Sequence, residues 1–207
     1  GHAWVEAQAV LDEMFTPLED LLVAAVSAER GGDVLDVGCG TGSTDDVVRA
    51  FANLRRAARD GAEFRFITWR GAEENPFMTT AERAAAPFLP NLPARRPDAP
   101  GQFAFADPRR VHRILEDSGW AGIDIRPVDV ACTLPESELV GYFTRLGPLG
   151  LILPEADEPT RAQVTETVRA AFDTYVHGEE VRFTAACWMV DARALSASAA
   201  PTEVEST

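Results

Sequence analysis

Basic residues are scarce in this chain. Lysine and arginine together number 19 against 33 aspartates and glutamates, a formal net charge of −14. Such a field repels phosphate backbones and anionic lipid heads, so neither nucleic acid nor a membrane surface is an expected partner; the acidity itself favours solubility. Cysteine is rarer still. Cys39, Cys132 and Cys187 stand far apart with no C-x-x-C pair, which offers no disulfide framework and suits a reducing compartment. The histidines His2, His112 and His177 are equally scattered, so no metal is expected. No apolar run approaches the roughly 18 residues of a membrane span, and no basic-then-apolar leader pattern is seen. A cytoplasmic location is expected.

What is present fits one α/β domain over residues 1–194, with a small polar tail at 195–207 expected to be loose. Trp4, Leu11, Met14, Phe15, Leu18, Leu22 and Val26 recur at helical spacing, and Pro17 divides them. Thr16-Pro-Leu-Glu19 reads as a capping box with proline at the first helical position, so two helices are predicted before the Gly31-Gly32 stop. Val34–Val37 reads as a short buried strand, Val47–Ala58 as a helix and Phe64–Trp69 as a strand. Six of the fourteen prolines then fall between Pro76 and Pro100, which marks residues 71–106 as an irregular excursion. Asp107-Pro108 opens a helix that Gly119 closes. Ile123–Leu134 is a strand, Leu139–Leu146 and Thr160–Tyr175 are amphipathic helices, and Val181–Ala192 is a last strand. Alternating strands and helices predict a mainly parallel sheet, with the last strand inserted antiparallel beside its predecessor. Segments 71–106 and 135–178 are expected to cap the sheet's carboxyl edge.

The chemistry sits in Asp33-Val-Leu-Asp-Val-Gly-Cys-Gly-Thr-Gly42. Strand, then Gly38-x-Gly40-x-Gly42, then helix is the layout of a nucleotide-type site. Glycines let the backbone turn sharply and approach a ligand with no Cβ in the way. Free N–H groups at such a turn hold a carboxylate. Ser43 stands where the dinucleotide fingerprint G-x-G-x-x-G wants its third glycine. Asp36, two residues before Gly38, is a strand carboxylate that needs partners; it orients the loop or meets a ligand's ammonium group.

This run resembles motif I of class I S-adenosylmethionine-dependent methyltransferases. The stretch Val47–Gly61 with Phe64-Arg-Phe-Ile-Thr-Trp69 looks like the helix and fifth strand of the UbiE-type small-molecule subgroup. Phe105–Trp120 looks like the helix before their sixth strand. The resemblance implies a Rossmann-like methyltransferase sheet with an antiparallel closing strand and a partly helical cap. It also implies S-adenosylmethionine as cofactor (S-adenosylhomocysteine as product), held by Asp36, Gly38, Cys39, Gly40 and Gly42. An N-terminal helix carrying Trp4 and Gln8 would fold over the cofactor. A small-molecule acceptor would lie beside Trp69, Arg70 and Asn75, which follow a strand end where such sheets place ligands. No residue is singled out as a catalytic base, and association as a homodimer stays open.

The chain departs from the family after motif I. Three further strands belong there, with the acid that grips the ribose, yet only Ser43-Thr-Asp-Asp46 separates Gly42 from Val47. A βαβ unit takes about 30 residues, so roughly 60 to 80 are wanting by that measure. Either those strands are deleted or the sequence is interrupted. A sheet stripped of them would expose a large apolar face, so an interruption near 43–46 is expected. Two other functions remain open: a degenerate methyltransferase-fold module that binds a partner without catalysis, and an NAD(P)-dependent oxidoreductase, against which the absent third glycine counts.

Overall fold

The computed structural model describes residues 2–27, 47–95 and 101–195. The expected strand Val34–Val37, the glycine turn, the expected interruption between Gly42 and Val47 and the tail from residue 196 lie outside the described residues.

The sheet is built on β4 (Glu180–Arg193), whose neighbours are β1 (Glu63–Trp69) and β2 (Ala121–Pro135), in the order β1-β4-β2. A two-residue strand, β3 (Val176–His177), forms a hairpin with β4 through Gly178, whose positive φ of 70° suits the tight turn. Every described pairing is antiparallel. This corrects the expectation of a mainly parallel sheet: β1 and β2 run the same way but never touch, because β4 inserts between them. The expected antiparallel last strand is thus present, with a neighbour on both sides. β4 alternates exposed and buried residues from Glu180 to Thr184, with one face open, and is buried or half-buried throughout from Ala185 to Ala192, where both faces are covered. β2 lies outermost on its side among the described residues, a position that tolerates Pro127 within the strand.

One face of the sheet is covered by α2 (Val47–Ala57) and α4 (Pro108–Asp117). Val190, Ala192 and Ala194 meet Val111 and Leu115 there, with Phe51, Phe64, Phe66 and Trp120 packed alongside. Phe64 and Trp120 stack with ring centroids 4.7 Å apart. Asp107 caps α4 by accepting from the Arg109 N–H at 2.9 Å, with proline at the first turn.

The opposite face carries α1 (His2–Ser27) and the helices α3 (Pro76–Ala85), α5 (Leu139–Arg145), α6 (Gly147–Ile152) and α7 (Glu158–Ala171). Their core joins Leu11 and Met14 of α1 to Phe77, Phe143, Val164, Val168 and Phe172, and to Cys132, Leu134, Val181 and Phe183 of the sheet. Phe77 lies flat on Phe183, centroids 4.0 Å apart. These sheet residues belong to the carboxyl half of β2 and the amino half of β4, so the helices cluster at that end. Asp157 starts α7 three residues before the expected Thr160, whose N–H it accepts at 2.8 Å; the bonds from Thr160 hold the Asp157 carboxyl below its ordinary range.

Two helical expectations are corrected. α1 is one helix with Pro17 inside it, not two. Thr16 does not cap a second helix; its hydroxyl donates back to the Asp12 carbonyl at 2.8 Å. Burial of Leu11 and Met14 on the N-terminal side of the proline, continued by half-buried Phe15 and Leu18, keeps the helix continuous through a residue that ordinarily interrupts it. The excursion 71–106 is not wholly irregular either, since it contains α3. Pro76 occupies the first turn, where its missing N–H costs nothing, while Pro87, Pro90 and Pro93 follow the helix.

Candidate cofactor and acceptor site

β1 does not stop cleanly at Trp69. The Arg70 N–H donates to the Ala186 carbonyl at 3.0 Å, one further rung against β4. The chain then turns, with Glu74 N–H bonded to the Gly71 carbonyl at 3.0 Å, and Asn75 closes the turn. The Asn75 side chain is 1% exposed. Its Nδ2 donates to Ala186 O at 3.0 Å, Gly71 O at 3.1 Å and Arg70 O at 3.3 Å, and its Oδ1 accepts from Ala186 N at 2.9 Å. The amide thus stands in for a peptide unit. It pairs both backbone groups of Ala186, leaving no polar atom for a ligand, so Asn75 shapes the turn rather than facing an acceptor.

Trp69 and Arg70 point to opposite faces, as successive strand residues must. Trp69 is half-buried beneath α1, edge-on to Phe15 with centroids 5.8 Å apart. Arg70 lies 5.7 Å from the Trp188 ring centroid, within cation–π range. Its Nη2 is 3.0 Å from Asp129 Oδ1, and its Nε is 2.9 Å from Glu74 Oε2, too far out of line to hydrogen-bond. The Trp188 indole N–H donates to Ala106 O at 2.9 Å, which ties the end of the 71–106 excursion to the sheet. Two carboxylates and one guanidinium leave this cluster net negative, so its field repels anions. Asp129 and Trp188 carry no motif of their own; their place beside Arg70 depends on the β2–β4 register, which the sequence pattern leaves unspecified.

The remaining expected site residues separate. Gln8 lies on α1 and is exposed. Trp4 belongs to α1, but its side chain is outside what is described, as are Asp36, Gly38, Cys39, Gly40 and Gly42. His112 pairs with Glu116 on the exposed side of α4 at 3.2 Å, and His177 is exposed in the β3–β4 hairpin; neither approaches Trp69. Tyr142 is half-buried within the helical layer, with its hydroxyl 3.4 Å from the Met78 sulfur. Its enclosure, reinforced by Glu82, pushes its phenol above the ordinary value, with Arg95 opposing.

Among the described residues no helix is long and apolar enough to cross a membrane, and no cluster of three or more His, Cys, Asp or Glu side chains could hold a metal ion. An open depression of about 820 Å³ between α5 and α7, lined by Val140, Thr144, Leu153, Pro154 and Ala162 among others, shares no residue with the β1 end. Compared with known proteins, the chain matches no family model and no curated protein sequence.

Proposed function

We propose that this chain is an S-adenosylmethionine-dependent methyltransferase acting on a small, uncharged or cationic acceptor. The observation that carries the reading is the run Asp33–Gly42, whose glycine spacing is that of a methionine-carboxylate turn rather than a dinucleotide loop. Asp36, Gly38, Cys39, Gly40 and Gly42 hold the cofactor in this reading, with α1 and its Trp4 and Gln8 alongside. The sheet lends support: an antiparallel last strand between two strands of common direction is the closing arrangement of the Rossmann-like methyltransferase sheet that the sequence resembles. A cytoplasmic enzyme is the corresponding location.

The sulfonium of S-adenosylmethionine is already an activated donor. The protein's contribution is therefore to hold donor and nucleophile in line at near-attack distance and to exclude water. Trp69, at the carboxyl end of β1 and under α1, offers an apolar wall for that purpose. Arg70 with Asp129 and Glu74 sets the charge of the neighbouring surface. The short link after Gly42 favours a second reading, a methyltransferase-like module that binds without catalysis.

Thiol labelling tests the cofactor site directly. Burial pushes the Cys132 thiol up to about 11 and the Cys187 thiol up to about 12, so at pH 8 roughly a thousandth or less of either is thiolate. Both also lie in the core. Label on the folded chain is therefore expected at Cys39 alone. S-adenosylhomocysteine at ten times its dissociation constant should slow it about tenfold by mass action, whereas a nicotinamide cofactor should not. Protection by the nicotinamide cofactor instead would transfer the reading to an oxidoreductase. Labelling of Cys39 indifferent to either ligand would remove the turn as a cofactor site.

A further inference from the structure

β2 (Ala121–Pro135) is long for an outermost strand. It pairs with β4 on one side, and among the described residues nothing pairs with the other. Proteins guard such edges by keeping them short or by placing lysine or proline on them. This chain contains no lysine.

Two hydrogen bonds fix which backbone groups look outward. The Glu136 N–H donates to Glu179 O at 2.8 Å, one step beyond Pro135 opposite Glu180. Successive strand residues present their backbone groups to opposite sides, so the even-numbered residues of β2 from Asp124 onward face β4. The bond from Arg70 N–H to Ala186 O agrees: it turns even-numbered β4 residues toward β1 and leaves the odd ones, Cys187 opposite Val128 among them, for β2. The outer edge therefore carries Ile125, Pro127, Asp129, Ala131, Thr133 and Pro135. Each offers a carbonyl, and all but the prolines offer an N–H. Prolines fall only on this side, where their missing N–H costs the sheet nothing. Pro127, Asp129, Ala131 and Thr133 are exposed.

The charge and spacing of this edge suit a second copy of the chain. At −14 overall, two copies repel wherever acid faces acid. The segment from Ile125 to Pro135 is neutral, since Arg126 and Asp129 are its only charged residues. Both are already paired within the chain, Arg126 with Asp191 at 2.6 Å and Asp129 with Arg70 at 3.0 Å. Laid antiparallel about a two-fold axis at Val130, two edges match rung by rung. Asp129 meets Ala131 of the second copy, Pro127 meets Thr133 and Ile125 meets Pro135, each rung occurring twice. About eight backbone hydrogen bonds form, and no acid meets an acid. An axis at Asp129 would set that carboxylate against its own copy. An axis at Ala131 would set Pro127 against Pro135, with no donor on either side. At the favoured axis, half-buried Val130 packs against its own copy.

We propose that the outer edge of β2 is a dimer interface, where a second copy adds its own β2 antiparallel, centred on Val130, to make one continuous sheet. The proposal does not rest on the methyltransferase reading. Sedimentation equilibrium of the full chain tests it. At about 100 µM, ten times a dissociation constant of about 10 µM for so small an interface, the parent should approach twice its 22.4 kDa. Ala131→Pro removes an outward donor and none that serves β4, so it should fold and remain a monomer. Ala131→Asp opposes Asp129 of the second copy twice and should weaken the dimer about tenfold, whereas Ala131→Arg should not weaken it. Thr184→Asp, on β4 opposite Ala131, makes the same charge change one strand further in and should leave the mass near the parent's.

Hydrogen exchange reads the edge itself. Amides of Asp129, Ala131 and Thr133 should slow as chain concentration rises, while those of Val128, Val130 and Cys132, bonded to β4, change little. A parent that stays monomeric at the higher concentration overturns the proposal, as does a dimer that Ala131→Pro and Ala131→Asp leave intact. Edge amides already slow in the dilute monomer would also overturn it, because the chain would then cover its own edge. If Ala131→Pro does not fold, the two charge variants decide: equal weakening by Ala131→Asp and Ala131→Arg rejects the register and the interface with it.

Discussion

Asn75→Asp is expected to destabilise the protein by about 3–5 kcal/mol at pH 7, because it removes one donor from each of three buried or part-buried carbonyls, of which Ala186 O and Gly71 O keep a backbone N–H, and sets a buried carboxylate against them. The parent amide donates to Arg70 O, Gly71 O and Ala186 O and accepts from Ala186 N. Aspartate keeps only the acceptor. With so little exposure, the new carboxyl would have its folded-state pKa raised above the unfolded value of about 3.9. A raised pKa makes the neutral form the better tolerated one. The deficit should then be smallest at low pH and should grow as pH rises through the folded pKa. Urea unfolding across pH 4–7 checks both magnitude and sign. A loss under about 1 kcal/mol, or a deficit that widens on acidification, would mean that the latch on Ala186 does not hold the turn.

The second large effect is on binding. Gly38→Val with Gly40→Val should weaken S-adenosylhomocysteine binding by about 100-fold or more, since each added side chain occupies the space through which backbone approaches ligand and restricts φ where a turn needs freedom. Thermal unfolding provides the control: a double variant that melts cooperatively near the parent temperature and does not bind identifies the turn as the site. Retained affinity in a folded double variant would place the ligand elsewhere.

Much of this fold was legible in the sequence, and the limits were physical. β4 is legible as a strand because Val181 and Phe183 alternate with polar Arg182 and Thr184, and from Ala185 a second apolar set (Ala186, Trp188, Val190, Ala192) joins the first where both faces are covered. Asp107-Pro108 announced α4 through the chemistry of its cap. Strand direction was less accessible: nothing in β1 alone shows whether its neighbour runs parallel or antiparallel, and only the order helix, strand, helices, strand hinted at the insertion of β4. Pro17 and Pro76 misled in opposite ways. The first was read as a boundary, but packing of Leu11 and Met14 carries the helix through it. The second was read as loop punctuation, but it begins α3.

The candidate site divides similarly. Trp69 and Arg70 follow from the rule that ligands gather at strand carboxyl ends, and both are at the end of β1. Asn75 satisfied the same rule by position, yet its amide is consumed by Ala186, more than a hundred residues away in sequence. Asp129 and Trp188 were invisible because they meet Arg70 only through strand register. The bond from Arg65 Nη1 of β1 to the Ala25 carbonyl of α1 was equally hidden, since it joins two elements 40 residues apart in sequence.

The central claim is that the glycine run binds S-adenosylmethionine, and calorimetric titration of the 207-residue chain with S-adenosylhomocysteine tests it most directly. The account expects saturable binding of one ligand per chain with a dissociation constant of about 1–100 µM, within the range usual for enzyme substrates. It also expects no saturable heat from NADH under the same conditions. A folded chain that gives no saturable heat with S-adenosylhomocysteine at about 1 mM, the upper end of that range, would contradict it.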